Sequence, residues 1–222
     1  LGDAGALARV LDDCSFVRWS AADPLAWIAL NAEVARAAYA ASDPDLALAG
    51  HKGCVTGHLE IGDATSALRE IAACERLADE SATPVAMWWK ASLSAARDLL
   101  AGRLDAAETR IAESIELARR ARTPEIEIEM QAQLVYLRTE QGRAGEIVAL
   151  ARAQAGEWAD QPTWRAAHAR ILAAGGQSEE AAVELDALAS RDFADVPLDR
   201  GWLGTHALAA EVVHATGATS AA

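Results

Sequence analysis

Positive charge is scarce in this chain. Twenty Lys and Arg face 33 Asp and Glu, a formal net charge of −13. That deficit excludes the basic stripe that displaces counterions from nucleic acid and the polybasic patch that docks on anionic lipid. The densest cationic run, Arg119-Arg120-Ala121-Arg122, falls at the predicted end of a helix, where cations complement the backbone dipole. No uninterrupted apolar stretch reaches the roughly 18 residues of a membrane span, and the first residues form no signal peptide. Cysteine is rare and odd in number. Cys14 and Cys54 fall at one position of the repeat described below, so with Cys74 they read as small buried packing residues in a reducing cytosol, not as a disulfide framework.

Reactive motifs are missing as well. No Gly-x-x-x-x-Gly-Lys phosphate loop, Gly-x-Ser-x-Gly elbow or His-Glu-x-x-His pair occurs. His51-x-x-Cys54-x-x-x-His58 puts two imidazoles and a thiol on one helical face. One straight helix seldom supplies three ligands to a tetrahedral ion, and Cys54 already has a packing role. His206 and His214, eight apart, read as decoration of a helix. The sequence therefore predicts no catalytic residue, no metal site, no cofactor and no enzyme activity.

What proline and glycine lack in number they supply in placement. Pro44, Pro84, Pro124 and Pro162 are spaced 40, 40 and 38, and Gly62, Gly102, Gly142 and Gly176 follow them by 14 to 18 residues. Pro197 and Gly217 make a further pair. Proline suits the first turn of a helix, where its missing N–H would be unpaired anyway. Glycine suits the left-handed residue that ends one. The punctuation predicts first helices from about Ala4, Pro44, Pro84, Pro124, Pro162 and Asp199, and second helices from about Pro24, Asp63, Leu104, Ala144, Ser178 and Thr219. Glu125-Ile-Glu-Ile-Glu-Met130 alternates like a strand but stands where the frame requires a helix to open, and it is read as helix.

Hydrophobic residues reach 52%, largely as alanine, while aromatics are only 5%, a composition that suits closely stacked helices and disfavours a sheet. Ala67, Ala107 and Ala181 each stand five residues after a glycine, where a small side chain lets paired helices approach. Tryptophan is the exception among aromatics, with seven against two Phe and two Tyr. Trp88, Trp89, Trp164 and Trp202 fall early in first helices, and most of the seven are expected to fill gaps in the core. Neighbours Trp88 and Trp89 diverge by about 100°, so one is core and the other reaches a surface.

The Gly-x-x-[Asp/Glu]-x-Ala pattern of Gly102-Arg-Leu-Asp-Ala-Ala107 and Gly176-Gln-Ser-Glu-Glu-Ala181 resembles the start of the second helix in tetratricopeptide (TPR) repeats. Trp88-Trp89-Lys-Ala-Ser-Leu, Gln161-Pro-Thr-Trp164-Arg-Ala-Ala and Phe193-Ala-Asp-Val-Pro-Leu-Asp-Arg-Gly-Trp202-Leu look like the TPR-like region of large bacterial signalling ATPases. These are LuxR-type transcriptional regulators or cyclase-linked proteins. The resemblance implies an all-α, TPR-like α-solenoid, a right-handed superhelix of about eleven antiparallel helices in one domain. Its repeats would run 1–42, 43–82, 83–122, 123–160 and 161–196, with 197–222 incomplete, in a portion of a longer protein that lacks its switch and output domains.

First helices line the concave face in TPR-type solenoids, which there places Lys52, Thr56, Trp89, Glu129, Tyr136 and Arg170. The resemblance implies a cytoplasmic, non-catalytic sensor or interaction arm. Its partners would be a small-molecule inducer or a protein or peptide, together with the other domains of the same protein, and neither nucleic acid nor membrane. A scaffold that holds only a peptide and an accessory segment of an enzyme are the alternatives. An enclosed apolar pocket would favour the sensor and an open charged channel the scaffold.

Overall fold

A computed structural model describes residues 3–18, 23–121, 124–155, 160–199 and 201–217; side chains are described throughout these except at 16–18, 120–121, 124–131 and 154–155. Among the described residues there are eleven α-helices and no strand. They are α1 (Ala4–Arg18), α2 (Pro24–Ala40), α3 (Pro44–Glu60), α4 (Ala64–Ser81), α5 (Pro84–Leu100), α6 (Leu104–Ala121), α7 (Pro124–Glu140), α8 (Gly145–Ala155), α9 (Pro162–Ala174), α10 (Ser178–Ala189) and α11 (Trp202–Thr216). The predicted helix starts agree to within a residue from α1 to α10, and the Glu-Ile-Glu-Ile stretch is helical. The helix predicted from Thr219 lies outside the described residues.

Local chemistry sets this punctuation. The backbone N–H groups of Ala6, Ala26, Leu46 and Ser66 donate to the carboxylates of Asp3, Asp23, Asp43 and Asp63 at 2.9 to 3.0 Å, and Ala86 N–H donates to Thr83 Oγ1 at 3.3 Å. These caps recur every 20 residues, and each satisfies a donor that the first turn leaves unpaired. At the other ends, Gly62, Gly102, Gly142 and Gly176 take φ of +67° to +79°. After α3, Asp63 N–H reaches back to the His58 carbonyl at 2.8 Å and Gly62 N–H to Leu59 at 3.0 Å, the paired closure of a Schellman turn.

The same closure ends α2, where Asp43 N–H donates to Ala38 O and Ser42 N–H to Tyr39 O, but the left-handed residue is Ser42 at φ 54°. A Cβ in that region costs roughly 1–2 kcal/mol. Ser42→Gly should therefore raise stability by about 1 kcal/mol, read as a higher urea midpoint at unchanged slope. A lower midpoint would mean that the turn is not strained.

The chain divides into two compact units, 1–133 and 134–222. In the first, each helix from α1 to α6 packs on the next, and α1 also touches α3. In the second, α9 packs against α8, α10 and α11. Each unit thus has the stacked helix pairs of a helical repeat. Ala67, Ala107 and Ala181 are fully buried, as helix pairs that close require.

Within the first unit α3 lies unusually close to α2. Gly50, Gly53 and Gly57 form the contacting edge, and a Cβ on Gly50 would stand 2.6 Å from Ala35 N and 2.7 Å from Asn31 O. The approach lets Trp27 Nε1 donate to the Gly53 carbonyl at 2.9 Å, and the Cys54 thiol to Ile28 O at 3.6 Å.

Two expectations need correction. Cys14 is exposed although it shares its repeat position with buried Cys54, whose thiol turns to the Ile28 carbonyl of α2. The eleventh helix starts at Trp202 instead of Asp199, because the Asp199 carboxylate accepts the N–H of Gly201 at 2.7 Å and holds a turn there. Tryptophan packs inward at every described position. Trp27 and Trp88 are buried, Trp89, Trp164 and Trp202 are half-buried, and Trp19 and Trp158 lie outside the described residues.

The thiols offer a check on this packing. Burial, reinforced by the Glu70 charge, pushes both Cys54 and Cys74 up to about 12. Since thiolate is the reactive form, iodoacetamide on the native protein should label Cys14 alone, with Cys54 and Cys74 following only in denaturant. Peptide mapping reads the outcome, and native labelling of Cys54 at the rate of Cys14 would contradict the tight α2–α3 seam.

Candidate functional site

Four of the six residues placed on the first-helix face, Lys52, Thr56, Trp89 and Glu129, lie in the first unit, and two of those meet. The Lys52 ammonium on α3 sits over the Trp89 ring on α5, 4.0 Å from its centroid. Between these helices runs a half-open, mostly apolar cleft of about 410 Å³, walled by Leu48, Ala49, Val85, Ala86 and Trp89. Asp45 and Thr83 close one end, and the Asp45 carboxylate accepts from the hydroxyls of Ser81 and, at 3.2 Å, Thr83.

The Trp88–Trp89 pair divides as the helix geometry requires. Trp88 is 1% exposed, and Trp89 leans on it edge-to-face with centroids 4.1 Å apart. The buried ring thereby props the half-buried one against Lys52. Lys52 also faces α1. Burial raises the carboxyl of Asp12 above its ordinary range, Lys52 opposes that shift and Asp13 adds to it. First helices α1, α3 and α5 therefore contribute Asp12, Lys52 and Trp89 to one electrostatic neighbourhood. Thr56 does not join them: it is exposed, its hydroxyl turns back to the Lys52 carbonyl at 3.4 Å, and it does not line the cleft.

Tyr136 and Arg170 lie in the second unit. The Arg170 guanidinium pairs with Glu211 of α11, so a ligand carboxylate there would compete with a protein one. The Tyr136 phenol is half-exposed, and burial first, then the charges of Glu211 and Glu140, raise it above the ordinary range while Arg170 opposes them. The side chain of Glu129 lies outside the described residues.

Asp45, Ala49 and Val85 went unnoticed in the sequence, yet a signal existed. Asp45 and Val85, like Ala49 and Trp89, are 40 apart, so the two walls of the cleft are the same repeat position on successive first helices.

The three residues of the His-Cys-His motif point to different partners. His51 Nδ1 lies against Glu70, Cys54 faces Ile28, and His58 Nδ1 is 3.6 Å from Asp63. Among the described residues no group of three His, Cys, Asp or Glu side chains is arranged to hold a metal ion, and no helix is long and apolar enough to cross a membrane. Compared with known protein families, curated proteins and solved structures, the chain matches none of them.

Proposed function

We propose that this chain is a non-catalytic sensor or interaction arm of a cytoplasmic, multidomain bacterial signalling protein of the LuxR-type or cyclase-linked kind, binding an inducer or partner protein on its first-helix faces. The observation that carries this reading is the Lys52–Trp89 cleft. An indole face, aliphatic walls and a cation at one edge, with a carboxylate at the other, suit an apolar group flanked by polar ones. Binding there would bias the wider protein only through a difference in affinity between its resting and active states.

A scaffold that grips a peptide is the second reading, and the half-open form of the cleft favours it, since an extended segment could enter and leave along its length. A thermal-shift screen of small polar-aromatic molecules and of peptide pools, followed by calorimetry, separates the two. Trp89→Ala and Lys52→Ala should each weaken the selected ligand about tenfold, or ~1.4 kcal/mol, with helical content unchanged. Hits confined to peptides support the scaffold. Binding indifferent to both substitutions, or mapped to second helices, removes the cleft from consideration. Tyr136→Ala and Arg170→Ala test the second unit in the same way.

A further inference from the structure

Away from the cleft, four polar side chains from three helices form one directed chain of hydrogen bonds. Tyr39 lies near the end of α2, His51 in the middle of α3, and Glu70 and Arg76 on α4. Tyr39 Oη is 2.8 Å from His51 Nε2, and His51 Nδ1 is 2.5 Å from Glu70 Oε2. Arg76 Nη2 donates to Tyr39 Oη at 3.3 Å. Arginine can only donate and an ionised carboxylate can only accept. With a neutral imidazole those two ends fix every proton between them: Glu70 takes Nδ1–H, the Nε2 lone pair is left free, and the Tyr39 O–H points at it. The side chains of His51 and Glu70 are 18% and 25% exposed, whereas Tyr39 is 46% exposed. Tyr39 is the exposed end of the chain, while its base is gripped from behind.

A hydroxyl within hydrogen-bond reach of a base, and that base oriented by a third group, is the arrangement that activates a nucleophile. The second unit supplies a contrast. There His168 faces Glu184 at 3.5 Å, but its Nε2 is buried with no hydroxyl upon it. The pairing of imidazole with carboxylate recurs in this fold; the phenol is an addition.

We propose that Tyr39 is a nucleophilic acyl acceptor, with His51 as its general base and Glu70 and Arg76 as positioning residues, and that it takes an acyl group from an activated ester. Tyr39 Oη bonds to the carbonyl carbon as its proton passes to His51 Nε2. The bond from that carbon to the leaving oxygen then breaks, and the leaving oxygen takes the proton from His51. Arg76, beside Oη, can donate to the oxyanion of the tetrahedral intermediate. The products are an ester of Tyr39 and a free alcohol, with no oxidant, reductant or further reactant. The modification is stoichiometric and independent of any ligand in the cleft.

The probe is p-nitrophenyl acetate on the whole 222-residue chain, with peptide mapping to locate the acetyl group. Tyr136, 49% exposed, is the internal reference, with free N-acetyltyrosinamide beside it as an unperturbed phenol because burial and Glu211 hold the Tyr136 phenol above its ordinary range. General-base assistance of ordinary size predicts acetylation of Tyr39 about a hundredfold faster than of Tyr136, a difference that vanishes in urea. His51→Ala should bring Tyr39 down to the reference rate, and added imidazole should raise Tyr39 above Tyr136 again, whereas acetylimidazole formed in solution would speed both tyrosines alike. His51→Gln, checked by circular dichroism, serves if the alanine variant unfolds. Glu70→Gln should slow the reaction while leaving helical content unchanged. Equal rates at the two tyrosines, indifference to His51, or a difference that persists in urea would overturn the proposal. So would a peptide map that finds the acetyl group on His51 and none on Tyr39.

Discussion

Trp88→Ala is expected to cost about 3–5 kcal/mol, the usual range for deleting a large aromatic from a core. Trp88 is 1% exposed and packs on Ala118, Ile115 and Leu117 of α6 as well as on Trp89. Alanine would leave a void that two helices joined by a short turn can close only by tilting, and Trp89 would lose its prop. The same substitution should therefore weaken any ligand of the cleft. The indole has one defect, because its Nε1 is buried without a hydrogen-bond partner, at a cost of about 1–3 kcal/mol. Trp88→Phe removes that donor along with the volume, so it should cost much less than alanine. Urea unfolding followed by circular dichroism ranks the variants. Equal losses for Phe and Ala would mean that the N–H is satisfied.

The second large effect runs against helix propensity. Replacing a mid-helix glycine by alanine ordinarily stabilises by about 0.5–1 kcal/mol. Gly204, in the first turn of α11, has open space where the Cβ would go, and Gly204→Ala should gain part of that amount. Gly50→Ala should instead destabilise by about 3 kcal/mol, the upper end of ordinary overpacking costs. Its Cβ would meet backbone atoms of Asn31 and Ala35, and backbone cannot rotate aside as a flexible side chain can. Separating α2 from α3 would also stretch the Trp27 and Cys54 hydrogen bonds across the seam. Iodoacetamide labelling of Cys54 in Gly50→Ala gives a second readout. If Gly50→Ala proves as benign as Gly204→Ala, the close approach does not exist.

The helices were legible because their boundaries are set by single residues acting locally. Pro44 fixes φ where α3 begins, and Gly62 accepts the left-handed turn where it ends, whatever lies elsewhere in the chain. The intervening turns were harder to see. Ser42 and Ala82 take the same left-handed conformation 20 residues before Gly62 and 20 after it, at φ 54° and 52°, but they carry a Cβ and give no sign of it. The Asp23, Asp43 and Asp63 caps were visible and would have served as well as the prolines.

Contacts between helices were much less legible. Gly50 and Gly53 read in isolation as weak spots of a helix, and only α2 shows them to be a seam. Cys14 and Cys54 are equivalent in the repeat but not in their neighbours. Trp89 was placed on a surface by its angle to Trp88, and Lys52 by the frame; their meeting across α3 and α5 follows from helix spacing that no residue states. Arg170 was singled out for its guanidinium, while Glu211, 41 positions away, gave no hint that it would hold it. Tyr39, His51 and Glu70 come from three helices, and no motif in one segment could announce them.

The even 20-residue tempo of caps and turns also governs how the chain finds its structure. Trp27 meets Gly53 at a separation of 26, Gln133 meets Ser92 at 41, and the Thr163–Thr205 hydroxyl pair spans 42. Partners this near along the chain give a low relative contact order, and the entropy lost in closing such short loops is small. Refolding from urea should accordingly fall in the fast, microsecond-to-millisecond range of helical proteins. With all three cysteines free, the slow steps of disulfide exchange have no place in it.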